Sequence, residues 1–330
     1  MEEDEIRKRE VFNKYLELSA KDVKEFFNDH SKFEFIKCPA CNSGDIKKAF
    51  SKNSFFYDEC EKCNTVFVNP RPPLKSLNKF YSDSPSTTFW INEFFLPVAE
   101  IRREKIFKPR AEFISDFIGF KENLLIGDVG AGFGLFLEEF RKLNSKCKLT
   151  AIEPSVEMAE ICKSKGLDVI NTLLEQFDFI ERKFDLLTSF ELFEHLHNPE
   201  GFLRKIYDLL NNGGFFIFTT LNGLGFDIQL LWEKSKSISP PHHLNFFNPW
   251  SIKILLQRIG FQIVEISTPG KLDWNIIEGG LKNENIFPGR FFNTVSKYGS
   301  KEAKTDLQKW IADNNFSSHM RVVVKKNIRS

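Results

Sequence analysis

The chain has 330 residues, 42% of them hydrophobic, enough to bury the core of one large domain or two modest ones. Its 46 basic and 45 acidic residues leave a net charge of +1, which argues against wholesale binding of nucleic acid or of an anionic membrane. The charged start, MEEDEIRKRE, does not read as a signal peptide, and no apolar run approaches the ~20 residues of a membrane span, so a cytoplasmic protein with reduced thiols is expected.

Residues 1–35 read as a helical segment. Ile6, Val11, Tyr15 and Leu16, then Val23, Phe26 and Phe27, recur at helical spacing among charges. Residues 36–72 hold two close cysteine pairs, Cys38-Pro39-Ala40-Cys41 and Cys60-Glu61-Lys62-Cys63. The spacing C-x2-C-x18-C-x2-C fits a tetrahedral zinc ribbon in which each pair makes one knuckle. Four thiolates leave no open coordination position, so the role expected of the metal is structural. Cys147 and Cys162 stand apart and read as core residues. Pro70, Pro72 and Pro73 then mark a boundary. Residues 73–123 read as connecting helices, over 74–82 and 97–118, joined by the polar stretch SDSPSTT. Arg102-Arg103-Glu104-Lys105 reads as a solvated helix face.

From Leu124 to the end, strands and helices alternate, which predicts a doubly wound parallel sheet. The expected strands are Leu124–Val129, Leu149–Glu153, Asp168–Ile170, Phe184–Ser189, Phe215–Thr220, Phe261–Ser267 and Arg321–Lys325. Helices fit between them at Leu135–Leu143, Pro199–Leu210 and Trp250–Ile259, and Asn212-Gly213-Gly214 reads as a helix stop and turn. The first strand runs into three glycines at every second position, LLIGDVGAGFG, with Asp128 before Gly130, Gly132 and Gly134. Glycines there let the backbone approach a ligand where a Cβ would collide. Glu153 ends the second strand, where a carboxylate can accept hydrogen bonds from both hydroxyls of a ribose. Dinucleotide-binding sheets share that feature, but they prefer G-x-G-x-x-G, and here Leu135 occupies the third glycine position.

The pattern D-x-G-x-G-x-G resembles the first motif of class I S-adenosylmethionine (SAM) methyltransferases. Phe184–Phe190 followed by Glu191-Leu192-Phe193-Glu194-His195-Leu196 is similar to their fourth strand and its E-H-L continuation. The segments NPEGFLRKIYDLLNNGGFFIFTTLN, SPPHHLNFFNPWSIKILLQRIGF and NNFSSHMRVVVKK are also typical of the group. CPAC…CEKCNTVFVNPRP resembles the zinc-ribbon start of a bacterial methyltransferase group with this order of parts, although Asn64 stands where that group usually has Gly. The resemblance covers nearly the whole chain from Cys38. It implies a Rossmann-like seven-stranded sheet with the last strand antiparallel, in a SAM-binding domain over 124–330.

The resemblance also implies roles. Asp128, Gly130, Gly132 and Gly134 would line the methionine and ribose portions of SAM, Glu153 would hold the ribose, and Pro154 would border the adenine. Gln176 and Phe177 fall where the family contacts adenine, and Phe190 and Glu191 below the methionine. The antiparallel last strand would start on the ligand side, so an insertion at about 268–318 would cap the acceptor pocket. His242 and His243 follow Pro240-Pro241 in the loop after the fifth strand and are candidate bases, with a loop-stabilising hydrogen bond as the alternative. His319 is a third candidate. The spacing of Glu191, Glu194 and His195 would place them on one helical face, and some quinone-pathway O-methyltransferases resemble this segment and hold a divalent ion there. Anchoring of the helix by Glu194 and His195 is the preferred alternative.

The expected reaction is methyl transfer, with oxygen favoured over nitrogen or carbon, to a small polar metabolite. A sugar or nucleotide-linked sugar as acceptor comes from the resemblance alone. Two other classes stay open. One is an RNA methyltransferase whose ribbon holds the RNA, against which the ribbon is not strongly basic and shows no aromatic-basic stacking pattern. The other is a SAM-binding protein without turnover. The N-terminal helix and ribbon are read as either a homodimer surface or a cover over the substrate.

Overall fold

A computed structural model describes residues 3–6, 8–119, 122–177, 183–283 and 286–327. The strands, in chain order, are β1 (Ile46–Lys52), β2 (Phe55–Cys60), β3 (Val66–Val68), β4 (Leu125–Val129), β5 (Lys148–Ile152), β6 (Asp168–Ile170), β7 (Phe184–Phe190), β8 (Leu210–Leu221), β9 (Asn245–Phe246), β10 (Phe261–Ser267) and β11 (His319–Lys326). They form a four-stranded sheet, β1-β2-β3-β9, and a seven-stranded sheet, β10-β11-β8-β7-β4-β5-β6.

The chain divides into two compact units, each assembled from separated segments. One comprises Met1–Val98, Leu221–Ile252 and Ser267–Met320; the other comprises Ala99–Thr220, Lys253–Ile266 and Arg321–Ser330.

The second unit carries the large sheet. β4, β5, β6, β7 and β8 pair in parallel, and β11 enters antiparallel between β8 and β10. From β4 the chain steps outward through β5 to β6, then returns to β4's other side as β7. That reversal makes the carboxyl ends of β4 and β7 a topological switch point, where ligands of such sheets bind. The strands are continuous apolar runs because both faces are covered. Ile126, Leu186 and Ile217 are fully buried against Phe136 and Phe140 of the helix Leu135–Leu143 and against Ala111 and Ile114 of the helix Lys108–Ile118. Each such aliphatic or aromatic side chain stabilises the fold by about 1.5–3 kcal/mol. Cys162 is buried in this core and Cys147 packs half-buried against it, as expected.

The first unit has a core of its own. Val23 of the helix Arg9–Phe26 and Phe27, which caps its end, pack with Phe55, Tyr57, Phe80, Ile228 and Phe246. β9 pairs antiparallel with β3, Val66 opposite Phe246 and Phe67 opposite Asn245, so the cysteine segment shares one sheet with a distant stretch of chain. Among the described residues, the insertion between β10 and β11 carries the helices Asp273–Asn283, Arg290–Tyr298 and Lys301–Asp313.

Three local expectations change. The polar stretch SDSPSTT is not a plain connector. Ser84 caps a short helix, Pro85–Phe89, by accepting from the Thr87 amide, with Pro85 in its first turn. Asn212-Gly213-Gly214 is a bulge rather than a helix stop, because Leu210 pairs with Phe184 while Phe215 pairs with Leu186. Arg103 is not solvated. Its guanidinium bonds Glu138 and Glu139 at 3.0 Å each, pinning the glycine-turn helix to the segment before β4.

Candidate active site

The glycine turn has the backbone its sequence demands. Gly130, Gly132 and Gly134 have φ of +72°, +55° and +71°, in the left-handed region that side chains disfavour. A Cβ on Gly134 would lie 2.7 Å from Leu167 and 3.1 Å from the Cys162 sulfur, so this glycine lets the turn pack on the next βα unit. Gly132 faces open space, with nothing within 4 Å of such a Cβ, and there the backbone is bare toward a ligand.

Glu153 ties the turn to β5. Its carboxylate accepts the Gly132 amide at 2.8 Å through one oxygen and the Ser155 amide at 2.9 Å through the other. Each oxygen keeps a second lone pair for a hydroxyl. Burial pushes its pKa upward, against the two amide bonds. Pro154 is exposed beside it, and Asn171 donates to the carbonyls of both Glu153 and Pro154, at 2.8 and 3.1 Å. Gln176 is exposed at the end of the short 3-10 helix Leu174–Gln176, whereas the Phe177 side chain is buried.

Asp128 is fully enclosed at the end of β4. Burial pushes its pKa up to about 7, against a 2.7 Å hydrogen bond from Thr188 and the positive field of Arg110. The folded pKa exceeds the unfolded value of about 3.9, so the protonated form is favoured by folding. Stability from this group is complete below about pH 4 and is lost as pH rises to about 7. Asp128→Asn cannot ionise, so its stability relative to the parent is expected to improve by about 2 kcal/mol between pH 5 and pH 8. Urea midpoints at the two pH values check this; equal differences would show that Asp128 stays ionised.

Phe190 and Glu191 follow at the end of β7. Glu191 sits in the left-handed region, at φ +53°, and its carboxylate accepts from Arg110 and from Thr219, each at 2.7 Å. The Arg110 guanidinium lies 4.8 Å over the Phe190 ring, which meets Phe136 edge-on at 4.8 Å. Glu191, Glu194 and His195 do not share a helical face. Only 193–195 is helical, as one 3-10 turn, and Glu194 is buried, accepting from Thr220 at 2.8 Å. This supports an anchoring role for Glu194. Arg110, Asn171, Thr188 and Thr219 escaped the sequence reading, since nothing local marks a residue whose partner lies 18 to 81 positions away.

The remaining candidates lie in the other unit. His242 is buried, its ring 5.0 Å from Phe80 and 5.5 Å from Tyr81. His243 is half-buried, with Nδ1 2.6 Å from the Ser237 carbonyl. A carbonyl only accepts, so Nδ1 donates this bond. His319 is half-buried at the start of β11. The sulfurs of Cys38, Cys41, Cys60 and Cys63 lie within 4.8 Å of one another, with the Cys38–Cys63 and Cys41–Cys60 pairs at 3.5 Å. All are free thiols. Zinc–sulfur bonds of about 2.3 Å give tetrahedral edges of about 3.8 Å, so the donor set fits. The knuckles match one another: the Asn42 amide donates to the Cys38 carbonyl and the Asn64 amide to the Cys60 carbonyl, both at 2.9 Å. Both asparagines have positive φ, 61° and 55°, so Asn64 supplies the conformation for which related ribbons use Gly.

Residues 98–266, about half of the chain, match a family described as "Methyltransferase domain". The chain belongs to this family. Within curated proteins, it is 29% identical over 116 residues to the mitochondrial ubiquinone biosynthesis O-methyltransferase of Dictyostelium discoideum, covering 31% of this chain and 36% of that one. It is 26% identical over 153 residues to the ubiquinone biosynthesis O-methyltransferase of Xanthomonas euvesicatoria pv. vesicatoria, covering 42% and 63%. The chain thus spans less than two thirds of the length of these relatives. The plantazolicin methyltransferase BpumL, solved with a triazolic desmethylPZN analogue and SAH (S-adenosylhomocysteine), shares the fold at a TM-score of 0.50, with 19% identity over 76% of this chain and 95% of that one. The matched stretch contains Asp128, the glycine turn, Glu153 and Glu191 of one unit and Leu221–Ile252 of the other. No helix of the described residues is long and apolar enough to cross a membrane.

Proposed function

We propose that the chain is a SAM-dependent methyltransferase acting on a small polar metabolite, with a structural zinc in its ribbon and a place in a reducing compartment. One observation carries the reading. At the switch point of a methyltransferase-family domain, a buried carboxylate, Glu153, holds the bare Gly132 backbone and keeps lone pairs for a ribose. Bound SAM supplies a methyl group activated by its sulfonium. Around it, Asp128, Gly130, Gly132 and Gly134 shape the methionine and ribose site, and Pro154, Gln176 and Phe177 border the adenine. Arg110, held over Phe190 and against Glu191, is placed to meet the cofactor's carboxylate.

His243, in the loop that follows Pro240-Pro241, is the general base for an acceptor hydroxyl, with its ring oriented by the bond that Nδ1 makes to the Ser237 carbonyl. His242 serves packing and His319 is a reserve candidate. His243→Asn is expected to lower kcat by about 10²-fold or more with the KM for SAM unchanged, while His242→Gln keeps most of kcat. Equal loss in both variants would move the role away from His243. The acceptor taken forward is a sugar or nucleotide-linked sugar, supported by the likeness of the ribbon-and-domain order to surface-sugar enzymes.

The test is transfer from methyl-labelled SAM into a cell extract, separated into small-molecule, RNA and protein fractions. Label is expected in the small-molecule fraction. Label in RNA would make the ribbon a nucleic-acid module. SAH binding with no label in any fraction would leave a binding protein.

A further inference from the structure

The helix Arg290–Tyr298, within the first unit, has no fully buried residue. One side of it rests on its own unit. The Phe292 ring meets Phe226 edge-on at 5.4 Å, and the Ser296 hydroxyl donates to Glu278 at 3.0 Å. Phe291 and Tyr298, with half-buried Val295 between them, follow the spacing i, i+4, i+7 and share a different stripe. Those two rings are 66% and 74% exposed, and Phe287, just before the helix, is 65% exposed. Single exposed apolar side chains are ordinary, but aromatics gathered on one short stretch form a patch that calls for a partner. Arg290, Thr294 and Lys297 repeat the same spacing one residue earlier, so a basic stripe runs directly beside the aromatic one. The stretch 287–301 holds Arg290, Lys297 and Lys301 and no acid. All three cations are exposed, and among the described residues none of them is in an ion pair. The Lys297 ammonium lies 5.2 Å over the neighbouring Tyr298 ring, which keeps its charge on the aromatic side. Nearby acids are engaged elsewhere: Glu278 pairs with Lys304 at 2.8 Å and Lys282 at 3.3 Å, and Glu302 accepts from the Ser300 hydroxyl and its own amide.

We propose that this face docks on an anionic phospholipid surface. The rings of Phe287, Phe291 and Tyr298 enter the boundary between headgroups and acyl chains, and Arg290, Lys297 and Lys301 meet the lipid phosphates. An aromatic stripe alone would suit an apolar protein groove, and a basic stripe alone would suit any polyanion. Side by side on one helix, they complement a surface that is apolar within and negative at its rim. The chain as a whole is nearly neutral, at +1, so its overall charge supplies no attraction and the binding depends on this stretch. Docking of this kind is independent of the methyl-transfer reading.

The experiment is co-sedimentation of the full chain with phosphatidylcholine vesicles made with and without phosphatidylglycerol. It compares the parent with two double variants, Phe287→Ser with Phe291→Ser, and Arg290→Gln with Lys297→Gln. All four side chains are exposed, so both variants are expected to keep the parent's Tm. Saturable binding to the anionic vesicles is expected, falling as salt rises. It should be at least about 10-fold weaker in either variant, and for the parent on phosphatidylcholine alone. No binding of the parent to anionic vesicles overturns the proposal, as does equal binding by the parent and either variant. Self-association of the parent that the aromatic variant loses, without vesicle binding, would make the face an interface between copies of this chain and overturn it. A single-stranded RNA oligomer that binds the parent while anionic vesicles do not would assign the patch to nucleic acid and overturn it too.

Discussion

Cys63→Ser is expected to release the zinc ion proposed for the ribbon and to lower the Tm by about 10 °C or more, since structural zinc binding is itself folding free energy. A hydrogen bond with Cys38, and after it one with Thr65, holds the Cys63 thiol below its ordinary range against the burial that raises it. The damage would not stay in the ribbon. The Asn248 side chain donates to the Cys63 carbonyl at 2.9 Å and to the Asn64 carbonyl at 3.2 Å. The Tyr57 hydroxyl donates to the His243 carbonyl at 3.0 Å, and β3 pairs with β9. The segment that bears the proposed base therefore hangs on the knuckle. Turnover is expected to fall more than about 10-fold while SAH affinity changes little, because Glu153 and the glycine turn belong to the other unit. Zinc content by metal analysis, Tm and SAH titration check the three parts. Full zinc occupancy in the variant would refute ligation by Cys63, and Cys162→Ser, a core change, should leave zinc untouched.

The second large effect is at Glu153. Glu153→Ala is expected to weaken SAH binding by about 10²-fold, the worth of two hydrogen bonds to a charged acceptor. Glu153→Gln should be nearly as damaging. Both carboxylate oxygens accept a backbone amide, Gly132 on one side and Ser155 on the other. A glutamine must turn its NH2 group toward one of those amides, donor against donor. Titration of SAH into each variant decides. A dissociation constant within threefold of the parent in Glu153→Ala would mean that the ribose is held elsewhere.

The seven strands of the large sheet stood close to where their apolar runs put them, since buried parallel strands announce themselves by continuous hydrophobicity. The glycine turn was equally legible, because alternate glycines after a strand serve few other purposes than the positive φ found at all three. Other features are written in the sequence as short local signals. Ser84-Pro85 is an N-cap followed by a first-turn proline, a helix start inside a stretch read as linker. The 3-10 turn at 193–195 and the bulge at 211–214 reflect neighbours, not propensity: Glu191 turns aside to meet Arg110 and Thr219, and Phe215 must face Leu186. No local pattern foretells that Asn245-Phe246 completes the ribbon's sheet, because the pairing is decided by a partner far along the chain.

That late partner has a consequence for biosynthesis. Cys63 and Asn248, which lock the knuckle to the loop before the last helix of the domain core, are 185 residues apart. At ribosomal rates of about 5–20 residues per second, β3 emerges and then waits on the order of 10–40 s with an open, wholly apolar edge, Val66-Phe67-Val68. Nascent chains stalled in that window would be the species most prone to stick to one another.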